Sequence, residues 1–454
     1  LSDRAPEESD EVRRPLVEDR LGTRARVYGN ERAILVGIDH GHAGEGLLDE
    51  LEALTETAGI VTLATVVQKR GRPDPATFIG KGKVEEVLAA CDELGADAVI
   101  FNDELHSSQT RNLEDALGRK VIDRTQLILD IFAQRASSKE AKLQVELAQL
   151  RYRLPRLRGW GQALTQTGGG IGTRGPGETQ LEIDRNKITR RIHALERRLR
   201  KAAEERSTRR KLRSHGDLPQ VALVGYTNSG KSTLLNRLCA SDSLVEDKLF
   251  ATLDTVVRRG PVGDGREALF IDTVGFIRDL PHHLVPAFAA TLEAVRYADL
   301  VVHIVDIARP SWNEDYRSVL DTLEREVFKD GDVRPPVLNA LNKTDLCPEG
   351  AERDLPGVRI SARDNVHIDE LLEAIADILY PADREVEVLV PYATLGRFGS
   401  LRDPRRVRSL EYTDEGAHVR VLLSPAELAD VLASGGKVSA SASSPAEGPR
   451  SRRP

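Results

Sequence analysis

Gly225-Tyr226-Thr227-Asn228-Ser229-Gly230-Lys231-Ser232 has the spacing G-x-x-x-x-G-K-S. It follows the apolar run Val221–Val224 and precedes the helix-like Thr233–Leu238, which is the strand–loop–helix context a phosphate-binding loop requires. Glycines at these positions let backbone N–H groups converge on phosphate oxygens, and the helix N-terminus adds positive potential. Lys231 is expected against the β- and γ-phosphates, and the Ser232 hydroxyl is expected to bind Mg²⁺.

Later motifs name the base. Asn342-Lys343-Thr344-Asp345 follows the β-like Val337–Leu341. A carboxylate at Asp345 accepts from both the N1–H and the 2-amino group of guanine, donors that adenine does not offer there. Asn342 is expected to brace the loop and the purine edge, and Ser361-Ala362-Arg363, after Val358–Ile360, to meet the guanine carbonyl through backbone N–H. Asp272-Thr273-Val274-Gly275 closes the run Ala268–Ile271 and fits D-x-x-G: a carboxylate that reaches Mg²⁺ through water, then a glycine N–H at the γ-phosphate. Phe250-Ala251-Thr252-Leu253-Asp254 lies where a switch loop belongs, with Thr252 the expected second hydroxyl on Mg²⁺ and Thr255 the next choice. Five elements in their ordinary order point to a GTP-hydrolysing domain, with Lys231, Thr252 and Gly275 carrying the chemistry.

Around this domain the 454 residues are too many for one core. With 40% hydrophobic and 30% charged residues the chain reads as soluble and globular. A net charge of −7 argues against a uniformly basic nucleic-acid coat. Cys91, Cys239 and Cys347 are far apart and form no Cys-x-x-Cys, so neither disulfides nor a cysteine zinc site is indicated, and a reducing cytoplasm is expected. The longest smooth apolar stretch, Ala58–Val67, is ten residues, about half of a ~20-residue membrane span, and the acidic, Arg-containing start has no signal-peptide core. No methionine occurs, even at position 1, so either Leu1 is not the biological start or a non-standard start codon was read literally.

The expected fold class is α/β: an N-terminal parallel α/β domain plus a long helical hairpin, a P-loop GTPase domain, and a small α+β C-terminal domain. The expected boundaries are a disordered tail at 1–30, the α/β domain at 31–135, the hairpin with a Gly-rich tip at 136–216, the GTPase domain at 217–382, the C-terminal domain at 383–433, and a second tail at 434–454. In the first domain Ala33–Gly37, Ile60–Val67 and Ala98–Phe101 read as strands, and Leu48–Thr57 and Val84–Leu94 as helices. The hairpin rests on Leu143, Leu147, Leu150, Leu154 and on Ile188, Ile192, Leu195, Leu199, apolar at helical spacing, with Gly168–Gly177 between them. In the C-terminal domain Val386–Val390 and Val419–Leu423 read as strands, and the glycines and proline between them give no firm helix. Arg185 to Arg213 holds thirteen basic and three acidic residues, either a solvated coiled-coil face or an arm that meets RNA phosphates.

These motifs resemble those of the HflX family of ribosome-associated GTPases. Phe78-Ile79-Gly80-Lys81-Gly82-Lys83 is similar to the family's N-terminal element, and Gly170-Ile171-Gly172-Thr173-Arg174-Gly175-Pro176-Gly177-Glu178-Thr179-Gln180-Leu181-Glu182 to its signature in the hairpin linker. Asp272-Thr273-Val274-Gly275-Phe276 matches its third nucleotide motif, and the resemblance covers about residues 30–385. It implies a cytoplasmic enzyme that binds GTP, GDP and the large ribosomal subunit, and that splits or rescues stalled or idle ribosomes; a monomer without membrane insertion is expected. Arg174, Arg190, Arg191, Arg197 and Arg198 are the residues expected to face rRNA. Phe276 stands where many GTPases carry a water-orienting glutamine, so slow intrinsic turnover and stimulation by a partner are expected. Asn228 resembles an asparagine that binds K⁺ in several such GTPases, and it also suits a merely loop-stabilising role. Two alternatives stay open: a GTP switch for a protein partner without rRNA contact, and an ATP-dependent RNA-remodelling activity of the N-terminal domain.

Overall fold

The computed structural model describes residues 31–40, 46–157, 176–211, 218–239, 249–250, 253–263, 266–278, 284, 288–328, 334–347, 354–380, 384–398, 400–403 and 406–438. Contacts divide the chain into two compact units, residues 1–197 and 198–454. In the first, the apolar run RAILVGID forms β1 (Arg32–Asp39), with six consecutive buried residues. It lies between β2 (Val61–Lys69) and β3 (Ala98–Phe101), with β4 (Lys120–Asp123) beyond β3, and every pairing is parallel. Parallel strands need crossover connections, supplied by α1 (Asp49–Ala58), α2 (Lys81–Leu94) and α3 (Ser107–Leu117).

The element 78–83 is the turn into α2, which starts three residues before the expected Val84. There Phe78, buried, packs edge-on against Phe101 with ring centroids 6.1 Å apart. The Gly80 N–H donates to Gln68 Oε1 at 2.9 Å. Sequence periodicity did not reveal α3, β4 or α4 (Arg124–Arg135): β4 has only Val121 and Ile122 between two charged residues, and α4 starts at a cap, the Asp123 carboxylate accepting from the Gln126 N–H at 2.9 Å.

The hairpin helices are α5 (Lys139–Arg156) and the 36-residue α6 (Pro176–Lys211). Ser138 caps α5 by accepting from the Ala141 N–H at 3.0 Å, and Pro176 opens α6, where a missing N–H costs no helical bond. Leu147, Leu150, Ile192 and Leu195 of the expected apolar seam are buried. The rest of the Gly-rich stretch, with Arg174, and the segments 1–30 and 439–454 lie outside the described residues.

The second unit holds a six-stranded sheet in the order β10-β9-β8-β5-β7-β6. Its strands are β5 (Gln220–Gly225), β6 (Val256–Pro261), β7 (Glu267–Asp272), β8 (Leu300–Asp306), β9 (Val337–Asn342) and β10 (Val358–Arg359). Only β6 runs antiparallel, against β7. Leu223, Leu234, Phe270, Val302, Ile360 and Leu371 share one core. Because β5 has β7 on one side and β8 on the other, the chain direction of sheet growth reverses at its carboxyl end, the place where open α/β sheets form a crevice.

The C-terminal sheet is antiparallel, in the order β12-β13-β11-β14, built from β11 (Arg384–Val390), β12 (Val407–Thr413), β13 (Gly416–Leu423) and β14 (Lys437–Val438). β12 was not legible because it is an edge strand with little burial and so carries no apolar alternation. β14 corrects the expected tail at 434–454: Gly435, at φ 91°, turns the chain so that Val438 pairs with Val388. Among the described residues no helix is long and apolar enough to cross a membrane.

Candidate guanine-nucleotide site

The P-loop, D-x-x-G, N-K-x-D and 361–363 segments follow strands of the six-stranded sheet at their carboxyl ends, whereas the 250–254 segment precedes β6. β5 runs into the loop 225–230 and then into α7 (Lys231–Leu238); β7 ends at Asp272, β8 at Asp306, β9 at Asn342. Gly230 adopts φ 95°, a left-handed conformation in which a side chain is strained, and an added Cβ would collide with the Asn342 amide. Asn228 also sits in the left-handed region, at φ 60°, and is exposed; asparagine is among the few non-glycine residues that tolerate this backbone.

Lys231 is buried, and its ammonium donates to the carbonyls of Tyr226 (2.8 Å) and Gly225 (3.2 Å). Burial pushes its pKa down to about 8, against the opposing pull of the Asp272 carboxylate. A cation held only by carbonyl oxygens gains by meeting phosphate oxygens instead. The Ser232 hydroxyl donates to Asp272 Oδ2 at 2.7 Å. A hydroxyl and a carboxylate, two hard oxygen donors side by side at the loop mouth, fit a Mg²⁺ ion. Ala251 and Thr252, including the expected second hydroxyl, lie outside the described residues. Phe250 and Leu253 beside them are buried. Asp254 is partly buried, and the next-choice Thr255 has its hydroxyl 3.5 Å from that of Thr291, on α8 (Ala289–Arg296).

The D-x-x-G segment is laced to the P-loop. The Thr227 N–H donates to the Phe276 carbonyl at 2.7 Å, and the Phe276 N–H donates to the Gly225 carbonyl at 3.1 Å. The Phe276 side chain is buried, so it packs and does not face a water. Gly275 is pressed on Thr227: a Cβ there would lie 2.8 Å from Thr227 Cγ2 and 3.1 Å from Lys231 Nζ. The Thr273 hydroxyl donates to the Leu223 carbonyl at 2.6 Å, and Val274 is buried.

At the base end, the Asp345 carboxylate accepts from the Ser361 hydroxyl at 2.7 Å and is exposed, aligned by its neighbour but open to a ligand. Asn342 braces the loop as expected, but not the purine edge. Its amide donates to the Ser229 carbonyl (2.8 Å) and accepts from the Ala362 N–H (3.0 Å), so the side chain straps the P-loop to the 361–363 loop and is not offered to a purine edge. The Thr344 hydroxyl donates to the Ile360 carbonyl at 3.0 Å.

Several supporting residues escaped the motif reading. Arg237 of α7 donates to the carbonyls of Ala362 (3.1 Å) and Arg363 (2.7 Å), fixing the backbone of that loop. Asp306 is one of them: Lys343, already named in the N-K-x-D motif and at φ 67°, reaches it at 2.9 Å. The Arg278 N–H donates to the Tyr226 hydroxyl at 2.9 Å, and the Arg278 guanidinium pairs with Asp315 at 2.8 Å. No spacing rule flags Arg237, Arg278, Asp306 or Asp315, although the lone histidine in the fully buried LVVHIVD of β8 is visible as an anomaly.

On α6 the structure separates the basic residues. Arg190, Arg197 and Arg198 are exposed, whereas Arg191 donates to both Glu146 oxygens at 2.6 and 2.8 Å. Arg191 is therefore removed from the set of free rRNA-facing cations.

Residues 45–133 match the family model described as GTP-binding GTPase N-terminal, residues 135–213 the GTP-binding GTPase Middle Region, and residues 220–343 the 50S ribosome-binding GTPase. The GTPase HflX of Caldanaerobacter subterraneus subsp. tengcongensis is 48% identical over 393 residues, covering 86% of this chain and 90% of that protein. The GTPase HflX of Escherichia coli is 44% identical over 340 residues, covering 73% and 79%. A crystal structure of a GTP-binding protein from Sulfolobus solfataricus in complex with GDP aligns at a TM-score of 0.42 with 25% identity, over 77% of this chain and 98% of that one. With relatives this similar along most of its length, the chain belongs to the HflX family of GTPases and hydrolyses GTP.

Proposed function

We propose that the chain binds the large ribosomal subunit in its GTP form and helps split or rescue stalled or idle ribosomes. The observation that carries this is a match to a 50S ribosome-binding GTPase model across the nucleotide domain, in a chain whose long α6 presents Arg190, Arg197 and Arg198 to solvent. Exposed guanidinium groups on one helix suit rRNA phosphates, whose condensed counterions they release on contact.

In this reading Lys231 and the loop N–H groups hold the β- and γ-phosphates, and the Gly275 N–H meets the γ-phosphate. Ser232 and Asp272 would hold Mg²⁺, which neutralises phosphate charge during transfer. Asp345 reads guanine, with Ser361, Ala362 and Arg363 closing over it. Phosphoryl transfer needs an oriented water, and the buried Phe276 cannot supply that orientation. The basal rate is therefore slow, and the large subunit completes the site. Asn228 keeps a second proposed role as a K⁺ contact at the exposed loop; equal hydrolysis rates in K⁺ and Na⁺ would remove it.

Co-sedimentation with purified large subunits tests the main proposal. Binding with a non-hydrolysable GTP analogue and its loss with GDP are expected. Equal binding in both nucleotide states, or none in either, would overturn it in favour of a switch for a protein partner.

A further inference from the structure

His303 has no role in the nucleotide contacts described above. It sits in the middle of β8, is 1% exposed, and stacks on Tyr316 with centroids 5.0 Å apart and planes 8° from parallel. Burial, and then the charge of Lys231, hold its pKa down to about 3, so the ring is neutral at working pH. Its Nδ1 is buried with no hydrogen-bond partner, and so is the Oγ1 of Thr227, a P-loop residue that is 2% exposed. Buried polar atoms are nearly always paired, and leaving them unpaired is costly.

Both residues line the same small cavity, with Tyr226, Asp306, Arg309 and Tyr316 also in its wall. Its volume is about 10 Å³, near the ~10–15 Å³ that admits one water molecule. The two unpaired atoms, His303 Nδ1 and Thr227 Oγ1, supply the minimum of two polar partners that a buried water needs, whereas an apolar void would stay dry. Thr227 in turn is pressed against Gly275 and is bonded through its N–H to Phe276. What holds Thr227 therefore holds the segment that meets the γ-phosphate.

We propose that one water bridges His303 Nδ1 and Thr227 Oγ1, making His303 a positioning residue that sets Thr227, and through it Gly275, for GTP in preference to GDP. The proposal rests on reading Gly275 as the γ-phosphate contact. A lone buried histidine is also explained by core packing, and the two explanations separate experimentally. Packing needs only the ring's bulk, whereas the bridge needs one polar atom at the Nδ1 position. An asparagine places an amide atom there, because both are substituents on Cγ. Leucine keeps an apolar branch at that place and offers nothing to the water.

The test measures the affinity of fluorescent GDP and of a fluorescent non-hydrolysable GTP analogue for the full chain, with thermal midpoints alongside. His303→Leu should weaken the GTP analogue about tenfold and GDP less than about twofold, and Thr227→Val should do the same. The double variant should be no worse than either single one, because both remove the same bridge. His303→Asn should restore the GTP analogue to within about threefold of wild type. Equal losses for both nucleotides would overturn the proposal, as would losses that multiply in the double variant or a His303→Asn protein as weak as His303→Leu. If His303→Leu fails to fold, Thr227→Val and His303→Asn carry the same comparison. Failure of the underlying site reading looks different: wild type and Lys231→Ala would then bind the GTP analogue equally.

Discussion

The P-loop and the basic helix α6 were both marked by sequence, one by spacing and one by charge, and the structure treats them differently. In the nucleotide domain the residue types are tied to backbone geometry. Gly230 is left-handed and has no room for a side chain, Lys231 is buried on two carbonyls, and Ser232 touches Asp272 across 40 positions of sequence. The twelve cations from Arg185 to Lys211 on α6 are not equivalent. Arg191 is spent on Glu146 and Arg206 on Glu293, while Arg190, Arg197 and Arg198 face solvent. Spacing specifies a site because phosphate geometry constrains the backbone that carries it. A charge run specifies only a potential, since each long side chain can be claimed by an acid far away in sequence.

The sharpest way to break the comparison is at Lys231. Lys231→Ala should lower the affinity of GTP by about a hundredfold or more, ~3 kcal/mol, since a charged partner of the phosphates is lost. Titration with a fluorescent GTP analogue measures this, and a change below about tenfold would mean that the loop does not grip phosphate as described. The next largest effect is at the base. Asp345→Asn should cost guanine nucleotides ~1.5–3 kcal/mol and gain xanthosine nucleotides, whose carbonyl can accept from the new amide. Unchanged GTP affinity would show that Asp345 does not read the base.

What was legible follows the same division. Motif residues at strand ends could be placed from the sequence because an apolar run followed by a fixed loop admits few geometries. Asn342 was expected to brace the loop, but its two partners, Ser229 and Ala362, were not legible because they meet it only after the sheet has assembled. Arg237 was invisible for the same reason: its partners are backbone carbonyls at 362 and 363, which carry no side-chain signature. In the C-terminal sheet β12 was missed because an exposed edge strand has no core to impose alternation. The Gly80-Lys81-Gly82 element, noted in the sequence as similar to the family's N-terminal element, has the geometry of a helix start braced by Gln68.

A smaller effect separates burial from charge within the nucleotide domain. The folded pKa of His303 is depressed from 6.5 to about 3. The unfolded chain thus takes up a proton that the folded chain refuses, and the stability this withholds is intact above pH ~6.5 and lost as pH falls toward ~3. The groups around it are Lys231, which depresses the ring further, and Asp306, Arg309, Asp315 and Tyr316 on the cavity wall. His303→Asn should flatten the loss of stability between pH ~6.5 and ~4.5 by roughly 2 kcal/mol relative to wild type. Urea midpoints across that range measure it, and parallel pH profiles would mean that the ring titrates normally. Smallest is the Arg191–Glu146 pair, with side chains 36% and 29% exposed. A double-mutant cycle to alanine should give a coupling of only ~0.2–1 kcal/mol, and a value near zero would return Arg191 to the free basic set.

The central claim is that α6 carries the contact with the large subunit while the nucleotide domain switches it. The salt dependence of large-subunit binding, measured with a non-hydrolysable GTP analogue, tests this most directly. For Z phosphate contacts the logarithm of affinity falls with the logarithm of salt at a slope of about −0.7Z to −0.9Z. Replacing Arg190, Arg197 and Arg198 by Glu should weaken binding and flatten that slope by about two to three units, with GTP affinity in the absence of ribosomes unchanged. Arg191→Ala should leave the slope where it is. A triple variant that binds large subunits with wild-type affinity and an unaltered slope would contradict the claim and make the exposed face of α6 a solvated helix surface.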